Sequence, residues 1–83
     1  MEKCVKMEDL SVNIGKRIIA LRKEKEGLSQ EKLAYKADVD RTYMTGIETG
    51  KRKVSVFVLE KIVRALDTDL ASFFNDESFR NGK

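Results

Sequence analysis

Apolar residues recur at helical spacing along almost the whole chain. Ile14, Ile18 and Leu21 follow an i, i+4, i+7 rule and predict a first helix over about residues 11–25, ended by Gly27. Ser29 can cap a second helix, with Gln30 and Glu31 in its first turn and Leu33, Ala34 and Ala37 on its inner face. Asp38 then stands at a turn position, and Asp accepts the left-handed conformation better than most residues. Asp40 can cap a third helix over about 41–49, with Met44 and Ile47 pointing inward and Gly50 as its stop. The segment Lys51–Val54 reads as a basic loop. Ser55 can cap a fourth helix, whose Leu59, Ile62, Val63 and Leu66 form the cleanest amphipathic stripe in the chain. Asp69 can cap a last short helix carrying Leu70, Phe73 and Phe74. From Asn75 onward the chain is polar apart from Phe79 and is expected to fray. Val54, Val56 and Val58 alternate like a strand, but they run directly into the helical stripe. The pattern predicts an all-α fold: a compact five-helix bundle over residues 11–75, with a flexible lead-in over 1–10 and a polar tail over 76–83.

The chain has 83 residues, which bounds it to one domain with a modest core. Charged residues make up 37% and hydrophobic residues 41%, a balance that belongs to a globular chain rather than a disordered one. No run approaches the roughly 18 apolar residues of a membrane span, and Met1–Met7 lacks a secretory apolar stretch, so a cytoplasmic location is expected. A single cysteine, Cys4, excludes an internal disulfide. With no histidine and no second cysteine, the usual zinc sites and His-dependent acid–base chemistry are excluded as well. There is no phosphate-binding glycine loop and no paired nucleophile and base, so neither an enzyme nor a cofactor is expected. Cys4 reads as an incidental thiol rather than a redox sensor. The net charge of +3 is a weak pointer to nucleic acid by itself. Placement says more. Lys51, Arg52 and Lys53 are consecutive, with Lys36 and Arg41 nearby, whereas Asp67, Asp69, Asp76 and Glu77 gather toward the C-terminus.

Two short helices joined by about three residues suggest a helix-turn-helix. The run from Leu28 to Arg52, LSQEKLAYKADVDRTYMTGIETGKR, sharpens this. It closely resembles the Cro/CI-like, or XRE, family of DNA-binding regulators. The resemblance covers about Ile14 to Phe74 and is carried by Leu28, Ser29 and Gln30, by Leu33 and Ala34, by Val39, by Ile47 and Glu48, and by Gly50 and Lys51. Within the family, DRTYMTGIE from Asp40 to Glu48 most resembles the controller proteins of restriction–modification systems. Three departures stand out. Asp38 and Asp67 occupy places where the family often has glycine, the connection from Arg22 to Gly27 is one residue longer than the common pattern, and Val54 stands where proline is frequent.

The resemblance implies a lambda-repressor-like DNA-binding domain with its third helix in the major groove. Arg41 is then the leading base reader, because its planar fork matches guanine O6 and N7. Thr42 and Thr45 are further base-reading candidates; the alternative for both is a solvated helix face. Gly46 either allows close approach to DNA or is a neutral loss. By resemblance, Gln30 at the start of the second helix binds a phosphate together with the helix N-terminus. Tyr43 either hydrogen-bonds a phosphate or packs as a partly buried aromatic. Lys51, Arg52 and Lys53 are placed to neutralise phosphates, the alternative being a solvated loop. In relatives, an arginine ending the first helix bridges to the glutamate ending the third, which maps onto Arg22 and Glu48.

One short helix reads only a few base pairs, so a twofold dimer on a palindrome is expected. Val56, Phe57, Leu70, Phe73 and Phe74 are the candidate interface; the alternative is that most of them are core, first of all Leu70 and one of the phenylalanines. The expected partners are double-stranded DNA and a second copy of the chain, with no membrane and no small-molecule effector. The expected function is an autoregulatory transcription factor, a repressor or controller protein. The alternative is an antitoxin that binds a toxin and represses its own operon; neighbouring genes for a toxin, or for a methyltransferase and endonuclease, would discriminate the two.

Overall fold

The computed structural model describes residues 7–80. Helix α1 spans Met7–Lys23, α2 Gln30–Ala37, α3 Arg41–Glu48, α4 Val56–Ala65 and α5 Leu70–Phe74, followed by a 3-10 turn over Glu77–Phe79. Five α-helices and no strand are present among the described residues. Cys4 lies outside them.

Each of the last four helices begins on the residue that its sequence marks as a cap. The side-chain oxygens of Ser29, Asp40, Ser55 and Asp69 accept from Lys32, Thr42 and Tyr43, Val58 and Ser72 backbone N–H groups respectively. Each such cap contributes about 1 kcal/mol by satisfying donors that the helix itself leaves open. At Asp69 the bond from the Ser72 backbone holds the carboxyl below its ordinary value.

The core is the apolar stripe of every helix meeting in one place. Ile14 and Ile18 from α1, Leu33, Ala34 and Ala37 from α2, Met44 and Ile47 from α3, Leu59, Ile62, Val63 and Ala65 from α4, and Phe73 from α5 are all buried, as is Leu66, the cap residue that follows α4. Helix α3 is therefore packed on one side by α1 and on the other by α2.

The helix boundaries differ from the sequence pattern at both ends. Helix α1 starts at Met7, inside the stretch expected to be a lead-in, and stops at Lys23 rather than near residue 25. A turn over residues 24–27 replaces its expected last part, with the Lys25 N–H donating to the Arg22 carbonyl and Gly27 at φ 76°. The longer connection is used: Lys25 Nζ lies 3.0 Å from Asp67 Oδ2. That hydrogen bond and charge hold the Asp67 carboxyl below its ordinary range.

The C-terminal segment is docked where fraying was expected. Phe79 packs against the core, with its ring 4.9 Å from Phe74 and 5.9 Å from Phe73. The Asn13 side-chain amide donates to the Ser78 carbonyl at 3.1 Å. Arg17 on α1 donates through Nε to the Phe73 carbonyl at 2.8 Å and through Nη2 to the Ser72 carbonyl at 3.0 Å. The one apolar residue of the tail meets an aromatic platform, and polar contacts from α1 hold the backbone beside it.

Asp38 and Asp67 both take the left-handed conformation, at φ 59° and 63°. After Asp38 the Val39 N–H donates to the Ala34 carbonyl, and after Asp67 the Thr68 N–H donates to the Val63 carbonyl, which is the hydrogen-bond pattern of a left-handed helix stop. Glycine adopts this conformation without the Cβ cost that an L-residue carries. Asp38→Gly is expected to stabilise the protein by about 0.5 kcal/mol, after the added chain entropy of glycine is offset. Urea unfolding checks this: the midpoint should rise with an unchanged m-value, and a fall would contradict it.

Candidate nucleic-acid interface

Helix α3 holds one face in the core and turns the other outward. Met44, Ile47 and Glu48 are buried, whereas Arg41, Thr42 and Thr45 are exposed and Tyr43 is partly buried against the core. The exposed residues lie at the N-terminal end and along one side of the helix. The loop Lys51–Lys53 follows at once, and all three of its cations are exposed. An open groove runs between them, lined by Thr42, Tyr43, Thr45, Gly46 and Thr49 on α3 and by the three basic residues.

The other end of α3 is locked to the scaffold. Glu48 is only 5% exposed, and it is the one buried charged residue in the described core. Its carboxylate accepts a fork from Arg22, with Nε to Oε2 at 2.9 Å and Nη2 to Oε1 at 3.0 Å. Two parallel charge-assisted bonds of this kind fix direction as well as distance. Arg22 Nη1 also donates to the Leu28 carbonyl at 3.4 Å, tying in the turn before α2. The extra residue in the α1–α2 connection leaves this pair intact.

The network continues toward the outward face. Gln30 Nε2 donates to Glu48 Oε1 at 3.0 Å, and the Thr45 hydroxyl donates to Gln30 Oε1 at 2.9 Å. Gln30 is thus turned into the scaffold as a bridge between α2 and α3. This link was not visible in the sequence, because Gln30 and Thr45 are separated by 15 positions and both were assigned to DNA rather than to each other.

Gly15 supplies the close approach that seats α3 on α1. A Cβ at position 15 would lie 2.4 Å from the Glu48 carbonyl oxygen and 2.6 Å from that of Ile47. The last turn of α3 therefore rests directly on the α1 backbone. Arg52 lies over Gly46 with its guanidinium carbon 5.4 Å from the centre of the Tyr43 ring.

The expected interface residues of the C-terminal helices divide. Val56 and Phe57 at the start of α4 are exposed, Phe57 by 78%. Phe74 is on the border of exposure and Leu70 is half-buried. Phe73 is a correction: it is fully buried, stacked edge-on against Phe74 at 5.0 Å and packed in the core. In a five-residue helix one ring must face inward, and that ring leaves no surface to offer a partner.

A capped helix, a left-handed stop, a second helix with an outward polar face and a basic loop define a helix-turn-helix unit. The family described as Helix-turn-helix matches residues 18–73, and the chain belongs to it. It is similar to control protein C.MunI of Mycoplasma sp, 47% identical over 70 residues that cover 84% of this chain and 95% of that one. It is also similar in structure to the restriction–modification controller protein C.AhdI from Aeromonas hydrophila, with a TM-score of 0.74 at 39% identity, covering 81% of this chain and 96% of that one. A third likeness is the controller protein C.Esp1396I, solved as a tetramer in complex with its natural 35 base-pair operator. There the TM-score is 0.72 at 38% identity, over 78% of this chain and 84% of that one. No described helix is long and apolar enough to cross a membrane.

Proposed function

We propose that this chain is a transcriptional regulator of the restriction–modification controller type, binding a palindromic operator near its own gene as a homodimer. The observation that carries the reading is the state of α3. Its outer face offers Arg41, Thr42 and Thr45 to a groove, while its inner end is clamped to α1 and α2 through Glu48. A reading element needs both properties, because base contacts give specificity only when the side chains arrive in fixed register. The relatives support the same function, since they are control proteins and one is solved on its operator.

In this proposal Arg41, Thr42 and Thr45 read base edges in the major groove. Gln30, Tyr43, Lys51, Arg52 and Lys53 hold the phosphate backbone. Val56, Phe57, Leu70 and Phe74 meet a second copy, which sets the spacing of the two half-sites. The protein acts in the cytoplasm by binding, not as an enzyme. Control then comes from its own concentration, because dimer formation and operator occupancy both rise with it.

The test is fluorescence anisotropy with the DNA just upstream of the gene, at two salt concentrations. Arg41→Ala should weaken operator binding roughly 5- to 150-fold, the worth of one bidentate base contact, while weak binding to random DNA survives. Wild-type binding to the operator no tighter than to random DNA would overturn the reading of this site.

A further inference from the structure

Glycine at position 46 sits half-buried inside α3, where alanine is the better helix former. Its φ is not among the positive values, so backbone conformation does not require glycine there. What the position does require is space. A Cβ on residue 46 would fall 2.6 Å from Cγ of Arg52, 3.0 Å from its Cδ and 3.2 Å from its Nε. The Gly46 carbonyl meanwhile accepts from the Lys51 N–H at 2.9 Å and from the Arg52 N–H at 3.1 Å. Tyr43 lies one helical turn earlier on the same side, beneath the guanidinium.

We infer that Gly46 is a positioning residue: its carbonyl and its missing side chain seat the basic loop on α3 and lay Arg52 across the helix onto the Tyr43 ring, so that its guanidinium meets DNA already oriented. The inference deepens the DNA-binding proposal and rests on it for the DNA measurements only. An arginine on a free loop loses much rotamer freedom when it is fixed at an interface. The seat removes part of that loss beforehand. The glycine holds the aliphatic stem, and the ring holds the charged end through a cation–π contact. The atoms that would be crowded belong to a flexible, exposed side chain. A methyl group at 46 therefore displaces Arg52 rather than the fold, and the pose of Arg52 separates from stability.

The test compares wild type, Gly46→Ala, Arg52→Ala, the double variant and Tyr43→Leu. In the free protein, NMR should show the Arg52 δ-methylene protons shifted by the Tyr43 ring. That shift should vanish in Tyr43→Leu and equally in Gly46→Ala, while the Tm of Gly46→Ala stays level or rises. On the operator, Gly46→Ala and Arg52→Ala should each weaken binding about tenfold, the scale of one charge-assisted hydrogen bond. The double variant should be no weaker than either single one, since both remove the same contact. Arg52 resonances unchanged in Gly46→Ala would overturn the inference. So would penalties that multiply in the double variant, which would mean that Gly46 approaches DNA independently of Arg52. A wild type with no operator preference would sink the DNA-binding reading alone, because the resonance comparison in free protein still decides whether the seat exists.

Discussion

Glu48→Ala is expected to destabilise the protein by about 3 kcal/mol and to lower its Tm by roughly 10–20 °C. Three donors converge on the Glu48 carboxylate, two from Arg22 and one from Gln30. Removing it strands a guanidinium whose side chain is only 15% exposed. The loss is large because an unpaired buried charge is costly, not because the pair itself is worth that much. A second variant separates the two. Arg22→Met combined with Glu48→Leu removes both charges and keeps the volume, and it should recover most of the lost stability. It should not recover operator binding, because Gln30 and Thr45 lose the anchor that holds them between α2 and α3. Thermal unfolding and anisotropy on the same samples measure this. A double variant that bound the operator like wild type would show that the network serves stability only.

The second large effect is at Gly15. Helix propensity alone makes Gly15→Ala stabilising by about 1 kcal/mol. The packing reverses the sign. The new methyl group would sit 2.4 Å from a backbone oxygen of α3, and neither backbone can yield without moving its helix. Overpacking of this kind costs about 1–3 kcal/mol, and a contact this short against backbone belongs at the upper end, so a net loss of about 2 kcal/mol remains after the propensity gain. Operator affinity should fall with it, since the element displaced is the one that carries Arg41. Gly27→Ala is the control. It has open space around it but a φ of 76°, so it should lose stability by strain and keep its DNA binding. Equal DNA binding by Gly15→Ala and wild type would contradict the argument.

Gly15 also shows what a sequence can and cannot display. A glycine beside Ile14 and Ile18 is visible as an oddity within a helical pattern, but the partner that explains it lies 32 positions or more away on α3. The helices were legible because caps and stripes are local: Ser29, Asp40, Ser55 and Asp69 each start an element through bonds within three residues. The left-handed stop at Asp38 was legible for the same reason. The outward face of α3 could be read from its polar residues once Met44 and Ile47 were set inward. On the inner side only the Arg22–Glu48 bridge was readable, and that through the resemblance rather than from spacing. Gln30 gave no sign of reaching Glu48, nor Arg52 of lying over Tyr43, because these contacts depend on how helices cross. Phe73 and Phe74 are adjacent and alike, and only the packed structure assigns one to the core and the other to the rim. Phe79 was misread because a lone apolar residue has no period.

A five-residue helix has too few internal bonds to persist by itself. Helix α5 keeps its shape through its Asp69 cap, the buried Phe73 ring and a guanidinium from α1 that closes the carbonyls at its end. Opening α5 therefore means first releasing it from α1, so the two should share one opening event although more than fifty positions separate them. Amide hydrogens in α5 should then exchange with solvent at rates set by that shared opening rather than by the fraying expected of so short a helix.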